Sequence, residues 1–192
     1  MKKHSFKDWL IAVRPWSFPA SAMPVIVTLA YLYWAYGAIE WANGLLALVG
    51  IVIFHASGNA WSDYFDFERG VDRVDTFGVK TLTSGQFMPL EIRNLAIGLM
   101  IPAVAIGLWL VIRTGLPLLW IGVCGAMCSL LYPCLKYRAF GDFVIFVAYA
   151  ILPTLGITYI TMRKFLPDVW LIIVPVGLIT VAILHANNTR DI

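Results

Sequence analysis

Gly44-Leu-Leu-Ala-Leu-Val-Gly-Ile-Val-Ile-Phe-His-Ala-Ser-Gly58-Asn59-Ala-Trp-Ser-Asp63-Tyr-Phe-Asp66-Phe-Glu-Arg-Gly70-Val-Asp72 is the stretch that decides how this chain folds. Gly44–Ser62 is apolar for about the length that a helix needs to cross a hydrocarbon core of ~30 Å, roughly 20 residues. Backbone groups in lipid must bond within their own segment, so the run reads as a helix and not a strand. It then turns acidic at one end. The stretch therefore describes a membrane helix whose carboxylates stand at a membrane surface.

Working outward, five further stretches have the same character: Pro15–Ile39, Leu95–Ile112, Leu116–Leu135, Phe143–Met162 and Val169–Ala186. The expected fold is an all-α integral membrane bundle of about six helices, one domain over residues 1–192, with a single long loop at 67–91. Pro15, Pro19, Pro24, Pro153 and Pro175 interrupt the runs and predict kinked helices around a cavity. Composition agrees: 60% of the 192 residues are hydrophobic and only 13% charged, against about 25% charged in soluble domains.

Lysine and arginine fall unevenly between the two sides of such a bundle. Eleven lie on one side (Lys2, Lys3, Lys7, Arg14, Arg69, Arg73, Lys80, Arg93, Lys136, Arg138 and Arg190), and three on the other (Arg113, Arg163 and Lys164). Positive residues favour the cytoplasm, so both chain ends and the acidic helix end are expected there. The net charge of +3 is thus a topology signal, and its dispersal through short loops gives no footprint for nucleic acid. Lys2 and Lys3 do not open a cleavable signal, because Asp8 and Arg14 break up the apolar core that a signal would need after them. Cys124, Cys128 and Cys134 read as small buried thiols of the fourth span rather than a metal site. Trp34, Trp41, Trp120 and Trp170 fall near predicted membrane boundaries, as interfacial belts do.

Asn59, Asp63 and Asp66 are spaced i, i+4, i+7 and share one helix face. Charges at this depth are costly unless they meet a cavity, a partner or an ion. With no cation close by in the local sequence, such a row invites a divalent metal; Mg²⁺ takes one or two carboxylates and completes its shell with water and substrate phosphate. A second constellation, His185-Ala-Asn187-Asn188-Thr-Arg190-Asp191, ends the sixth span. The charge-derived topology puts it at the same surface, so the two Asn/Asp faces can jointly hold metals around a diphosphate. Tyr132 and Lys136, four apart, could reach the same diphosphate. His55, one turn before Asn59, and His185 read as packing histidines with proton acceptance as the alternative.

Asn-x₃-Asp-Tyr-Phe-Asp-x₃-Gly-x-Asp followed by Asn-Asn-Thr-Arg-Asp resembles the UbiA superfamily of membrane prenyltransferases. Arg14-Pro-Trp-Ser-Phe-Pro19-Ala-Ser is similar to the opening motif of its branch that prenylates 1,4-dihydroxy-2-naphthoate in menaquinone synthesis. Tyr132-Pro-Cys-Leu-Lys136-Tyr with Gly141-Asp142 resembles the segment after that family's fourth helix. The resemblance implies transfer of a polyprenyl group from its diphosphate to a hydroxylated aromatic acid. It implies Mg²⁺ on Asp63, Asp66 and Asp191, and a catalytic set of those three with Asn59 and Asn188. Substrate contacts would come from Lys80 (in Lys-x-Leu-x-Ser-Gly), Tyr132, Lys136, Arg14, Asp72 and Asn187. Aromatic faces such as Tyr64 or Tyr149 would stabilise the allylic cation. The implied partners are polyprenyl diphosphate, the aromatic acceptor and membrane lipid, and the implied location is a bacterial inner membrane with the site facing the cytoplasm.

Other acceptors of the same superfamily, 4-hydroxybenzoate or homogentisate, stay open. A transporter or channel is the non-enzymatic alternative, but would place its charges near the midplane. CDP-alcohol phosphotransferases need an Asp-Gly-x₂-Ala-Arg core that this sequence lacks. The family's second acidic motif continues to a further Asp, and its fold has nine helices, so the chain reads as C-terminally incomplete.

Overall fold

The computed structural model describes residues 4–70, 81–135 and 141–190, the side chains of 130–135 and 187–190 excepted. Among them the chain is helical throughout, with no strand. It opens with α1 (Phe6–Val13), begun by a reciprocal cap: the Asp8 backbone N–H donates to Ser5 Oγ, and the Ser5 N–H to the Asp8 carboxylate. α1 stops at Arg14, a non-glycine residue in the left-handed conformation at φ 54° and ψ 63°, which costs on the order of 1 kcal/mol. A 3₁₀ turn over Pro15–Ser17 follows, and α2 (Pro19–Tyr36) leaves at 55° to the preceding segment. Pro15 and Pro19 each sit at a helix start, where the missing N–H is harmless. The predicted span Pro15–Ile39 is therefore broken at its beginning.

α3 (Trp41–Glu68) and α4 (Pro89–Thr114) are the longest helices. α3 runs past the predicted Ser62 and carries the acidic motif on regular helix, and α4 starts before the predicted Leu95, so the loop at 67–91 is shorter than expected. α5 (Leu116–Leu135) follows Gly115 directly. The fifth predicted span is composite: α6 (Gly141–Phe146), a π-helical turn over Val147–Ile151, and α7 (Leu152–Met162) with Pro153 in its first turn. A 3₁₀ turn at Pro167–Val169 leads into α8 (Trp170–Arg190). All six predicted stretches are helical.

Among the described residues four helices pass the length and hydropathy test for a crossing: Trp41–Glu68, Pro89–Thr114, Gly141–Met162 and Pro167–Ala186. A fifth is added if Phe6–Ser17 and Pro19–Tyr36 count as one bent span, and Leu116–Ser129 is a shorter apolar helix. Among the described residues four or five of the six expected crossings thus pass: the first is bent ahead of α2, and of α5 only Leu116–Ser129 enters the test, since the side chains of its last residues lie outside the described set.

α3 and α4 form the most extensive helix pair. A Cβ at Gly50 would stand 2.9 Å from Ile106 Cγ2, so glycine sets their approach, and the buried Ser57 hydroxyl donates to the Ala96 carbonyl at 2.8 Å. Small residues and interhelical hydrogen bonds are what hold helices together where lipid removes the hydrophobic drive. One apolar cluster (Ala12, Ala60, Leu82, Phe87, Ile92, Ala96) joins α1, α3, α4 and the turn before α4. A second (Val25, Leu29, Leu110, Ile157, Ile160) joins α2, α4 and α7. Ile112 and Leu171 are largely exposed to the outside, as a lipid-facing surface requires. The four boundary tryptophans are exposed too. Cys124, expected to be buried, lies on that outer surface.

Candidate functional site

Seven of α3's residues, Asn59 to Phe65, occupy two turns that face different neighbours. Asn59 and Asp63, one turn apart, look toward the α1–α2 junction. Asn59 Nδ2 donates to the Val13 carbonyl and to Ser17 Oγ, both at 2.9 Å. Asp63 is buried, with only 3% of its surface accessible, and its Oδ1 accepts a hydrogen bond from Arg14 Nη2. The left-handed turn at Arg14 is what aims that guanidinium back at α3. Asp66 lies one turn from Ser62, whose hydroxyl donates to it at 3.2 Å.

This arrangement corrects one premise of the sequence reading. The acidic row does have a nearby cation, supplied from 49 residues upstream. A buried carboxylate at a membrane helix end needs such a charge to offset its desolvation, and Arg14 fills that need when no other ion does. The donor chemistry still suits Mg²⁺: Asp63 and Asp66 offer hard carboxylate oxygens, and a diphosphate-bound ion takes only one or two. Among the described residues no three His, Cys, Asp or Glu side chains gather into a cage, so these two carboxylates would hold the ion together with substrate oxygens.

Asp72, Lys80, Lys136 and Asp191 lie outside the described residues, as do the side chains of Tyr132, Asn187 and Asn188. Backbone placement still puts Asn187 and Asn188 on the last turn of α8. His185, a turn earlier, has Nδ1 2.8 Å from Asp142 Oδ2 at the start of α6. The helix end with the second motif is thus tied to the Gly141-Asp142 segment, a contact that spacing along the sequence does not reveal.

The two tyrosines proposed as cation walls separate. Tyr64 packs with Trp61 and Phe65 and lines an outer groove with Glu68, Met88, Pro89, Leu90 and Arg93, away from the Asn59 side. Tyr149, on the π-helical turn, sets its ring edge-on to His55 with centroids 5.6 Å apart. The expected role is withdrawn from Tyr64, because its ring belongs to the α3–α4 face.

Residues 21–192 match the model of the UbiA prenyltransferase family. The chain belongs to that family. Among similar UbiA proteins is the UbiA prenyltransferase domain-containing protein 1 of Xenopus tropicalis, 30% identical over 99% of this chain and 58% of its own length. The Gallus gallus protein of the same name is 32% identical over 95% of this chain and 56% of its own. That of Homo sapiens is 29% identical over 96% and 56%. The chain spans little more than half the length of these UbiA relatives. They carry the domain-containing-protein name, so family membership is established at a coarser level than the naphthoate branch suggested by Arg14-Pro-Trp-Ser.

Within this UbiA chain, the residues that sequence reasoning missed are Ser17, Ser21 and Ser5. Ser17 and Ser21 connect Asn59 and His55 to the α1–α2 junction; nothing local marks them, because their partners lie on another helix. Ser5 was legible, since Ser-x-x-Asp ahead of an apolar run signals a helix start.

Proposed function

We propose that this UbiA protein transfers a polyprenyl group from its diphosphate to a hydroxylated aromatic acid, with 1,4-dihydroxy-2-naphthoate as the acceptor and Mg²⁺ as cofactor. The observation that carries this reading is the pairing of buried Asp63 with Arg14 in a family member whose Asn59, Asp63 and Asp66 keep the motif spacing. Mg²⁺, when bound, neutralises the leaving diphosphate as a Lewis acid.

The chain's own residues would do the rest. Asp63 and Asp66 would hold the ion, with Asp191 and Asn188 of the second motif as its further partners. Arg14, which lies against Asp63, would offer its guanidinium to the diphosphate, whose oxygens it can bond in two places. Lys80, Lys136, Tyr132, Asp72 and Asn187 complete the diphosphate and acceptor contacts. Asn59 is a positioning residue: both its N–H groups already hold the junction that presents Arg14. The apolar bundle keeps water from the allylic cation, with the Tyr149 face beside it. The Lys/Arg asymmetry supports a site on the cytoplasmic side.

The test is radiolabelled prenyl transfer by the protein in membranes, with and without Mg²⁺, offered 1,4-dihydroxy-2-naphthoate, 4-hydroxybenzoate and homogentisate in parallel. Metal-dependent labelling of the naphthoate supports the proposal. Labelling of one of the other acids alone moves the acceptor within the family, and labelling of none sinks the enzymatic reading in favour of transport.

A further inference from the structure

α3 and α4 run for 28 and 26 residues, about 42 and 39 Å of helix at 1.5 Å per residue. Both outrun a hydrocarbon core of ~30 Å. Their adjoining ends are charged, with Glu68 and Arg69 closing one and Glu91 and Arg93 opening the other, which suits headgroup depth. Between these ends lies the outer groove of Tyr64, Glu68, Met88, Pro89, Leu90 and Arg93, with a volume of about 380 Å³.

The groove wall holds one cation and one carboxylate, and they are not used on each other. Among the described residues Glu68 and Arg93 share no ion pair, and the buried Arg93 Nε has no acceptor. A guanidinium left short of acceptors is costly away from water. The neighbouring charges are engaged elsewhere. Glu91 pairs with His4 and accepts from the Met88 N–H, and the Arg69 guanidinium lies over the Phe65 ring, 5.5 Å from its centroid. Leu90 belongs to the groove and also heads an apolar stripe. Leu90, Ile97, Ile101, Val104 and Leu108 are all exposed, and their helical spacing keeps them on one face of α4. The stripe runs about 27 Å along the helix, a lipid-facing track that starts in the groove.

We propose that this groove binds one zwitterionic phospholipid, with its phosphate on Arg93, its ammonium on Glu68 and an acyl chain along the α4 stripe. Charge complementarity selects the occupant. An anionic headgroup meets Arg93 but also the unneutralised Glu68 carboxylate, whereas a headgroup with both phosphate and ammonium satisfies the two together. Guanidinium and phosphate join through charge-assisted hydrogen bonds, and a primary ammonium brings three donors to a carboxylate. The bound lipid bridges the end of α3 to the start of α4. This site stands apart from Asn59 and Asp63 and does not rest on the prenyl-transfer reading.

The experiment is native mass spectrometry of the detergent-purified protein, titrated with phosphatidylethanolamine and phosphatidylglycerol of identical acyl chains. Wild type should retain one phosphatidylethanolamine about fivefold more tightly than phosphatidylglycerol, the scale of one exposed ion pair. Glu68→Gln, at an exposed position, should erase that preference without weakening phosphatidylglycerol. Arg93→Gln should weaken both lipids about 10-fold, the scale of a hydrogen bond to a charged group. Arg93→Lys, which keeps the charge, should recover part of that loss and guards against a Gln variant that merely folds badly. Equal retention of both lipids by wild type, the mark of bulk bilayer lipid only, overturns the site. So does a preference that survives Glu68→Gln, or wild-type binding of both lipids by Arg93→Gln.

Discussion

The Arg14 guanidinium lies against the buried Asp63 carboxylate, and the chain bends at the left-handed Arg14 itself. One residue thus makes the turn and supplies the countercharge, which couples the geometry of the α1–α2 junction to the acidic motif on α3.

The coupling predicts an asymmetric mutant cycle. Arg14→Gln leaves a carboxylate buried without its guanidinium and should lower stability by about 2–3 kcal/mol, below the roughly 3–5 typical of a fully buried pair because Arg14 is partly exposed. Asp63→Asn in the Arg14→Gln background should recover part of the loss. Thermal unfolding of the four proteins in one detergent checks this, and equal melting temperatures for wild type and Arg14→Gln would show that the pair contributes nothing.

A metal prediction rests on Asp66, which receives only a serine hydroxyl from the described residues. Asp66→Asn should keep the melting temperature and abolish Mg²⁺-dependent transfer by the full-length protein, whereas Ser62→Ala should slow it mildly. Treatment with EDTA should stop wild-type transfer and added Mg²⁺ restore it. Persistent turnover in Asp66→Asn would remove Asp66 from the metal site.

At the far end of the bundle, the Tyr31 and Tyr36 hydroxyls both donate to Asp168 Oδ2, at 2.8 and 2.7 Å, and so bolt α2 to the turn that opens α8. Either Tyr→Phe change alone should lower the melting temperature, and Asp168→Asn should lower it more, since bonds to a charged acceptor are the stronger kind. None should alter prenyl transfer, because the latch stands at the opposite end from Asp63. A matched set of melting curves and transfer assays decides it; lost activity at full stability would refute the purely structural role.

Gly177 sits where α8 packs against the end of α6 and the π-helical turn: a Cβ there would fall 2.3 Å from Phe146 Cε2 and 2.8 Å from Ala150 Cβ. Gly177→Ala should destabilise by about 1–3 kcal/mol through overpacking. Gly107→Ala, where a Cβ meets nothing within 4 Å, should be neutral or stabilising by up to about 1 kcal/mol from helix propensity. Opposite-signed shifts in melting temperature are the expected result.

Topology is open to a direct check with single cysteines at Arg69 and Lys164, both exposed, in a background with Cys124, Cys128 and Cys134 changed to Ala. An impermeant maleimide should label Lys164→Cys from outside intact cells and Arg69→Cys only after permeabilisation. Labelling of both from one side contradicts the orientation drawn from the Lys/Arg counts.

The chain by itself determined where helices form and which way the acidic residues point on them. An apolar run long enough for the bilayer has no alternative but to close its hydrogen bonds locally, and Asn59, Asp63 and Asp66 share a face because of the helical period alone. The six stretches and the motif were therefore legible from adjacent residues. Tertiary structure alone decided which cation Asp63 meets, that Tyr149 joins His55 while Tyr64 does not, and that Ser17 and Ser21 take up the polar groups of α3. The polar pairings among these join residues 34 to 49 positions apart. They depend on a left-handed turn at Arg14, and the Tyr149 contact on a π-helical turn at Val147–Ile151. Neither turn has a hydropathy signature, because each is set by packing against other helices.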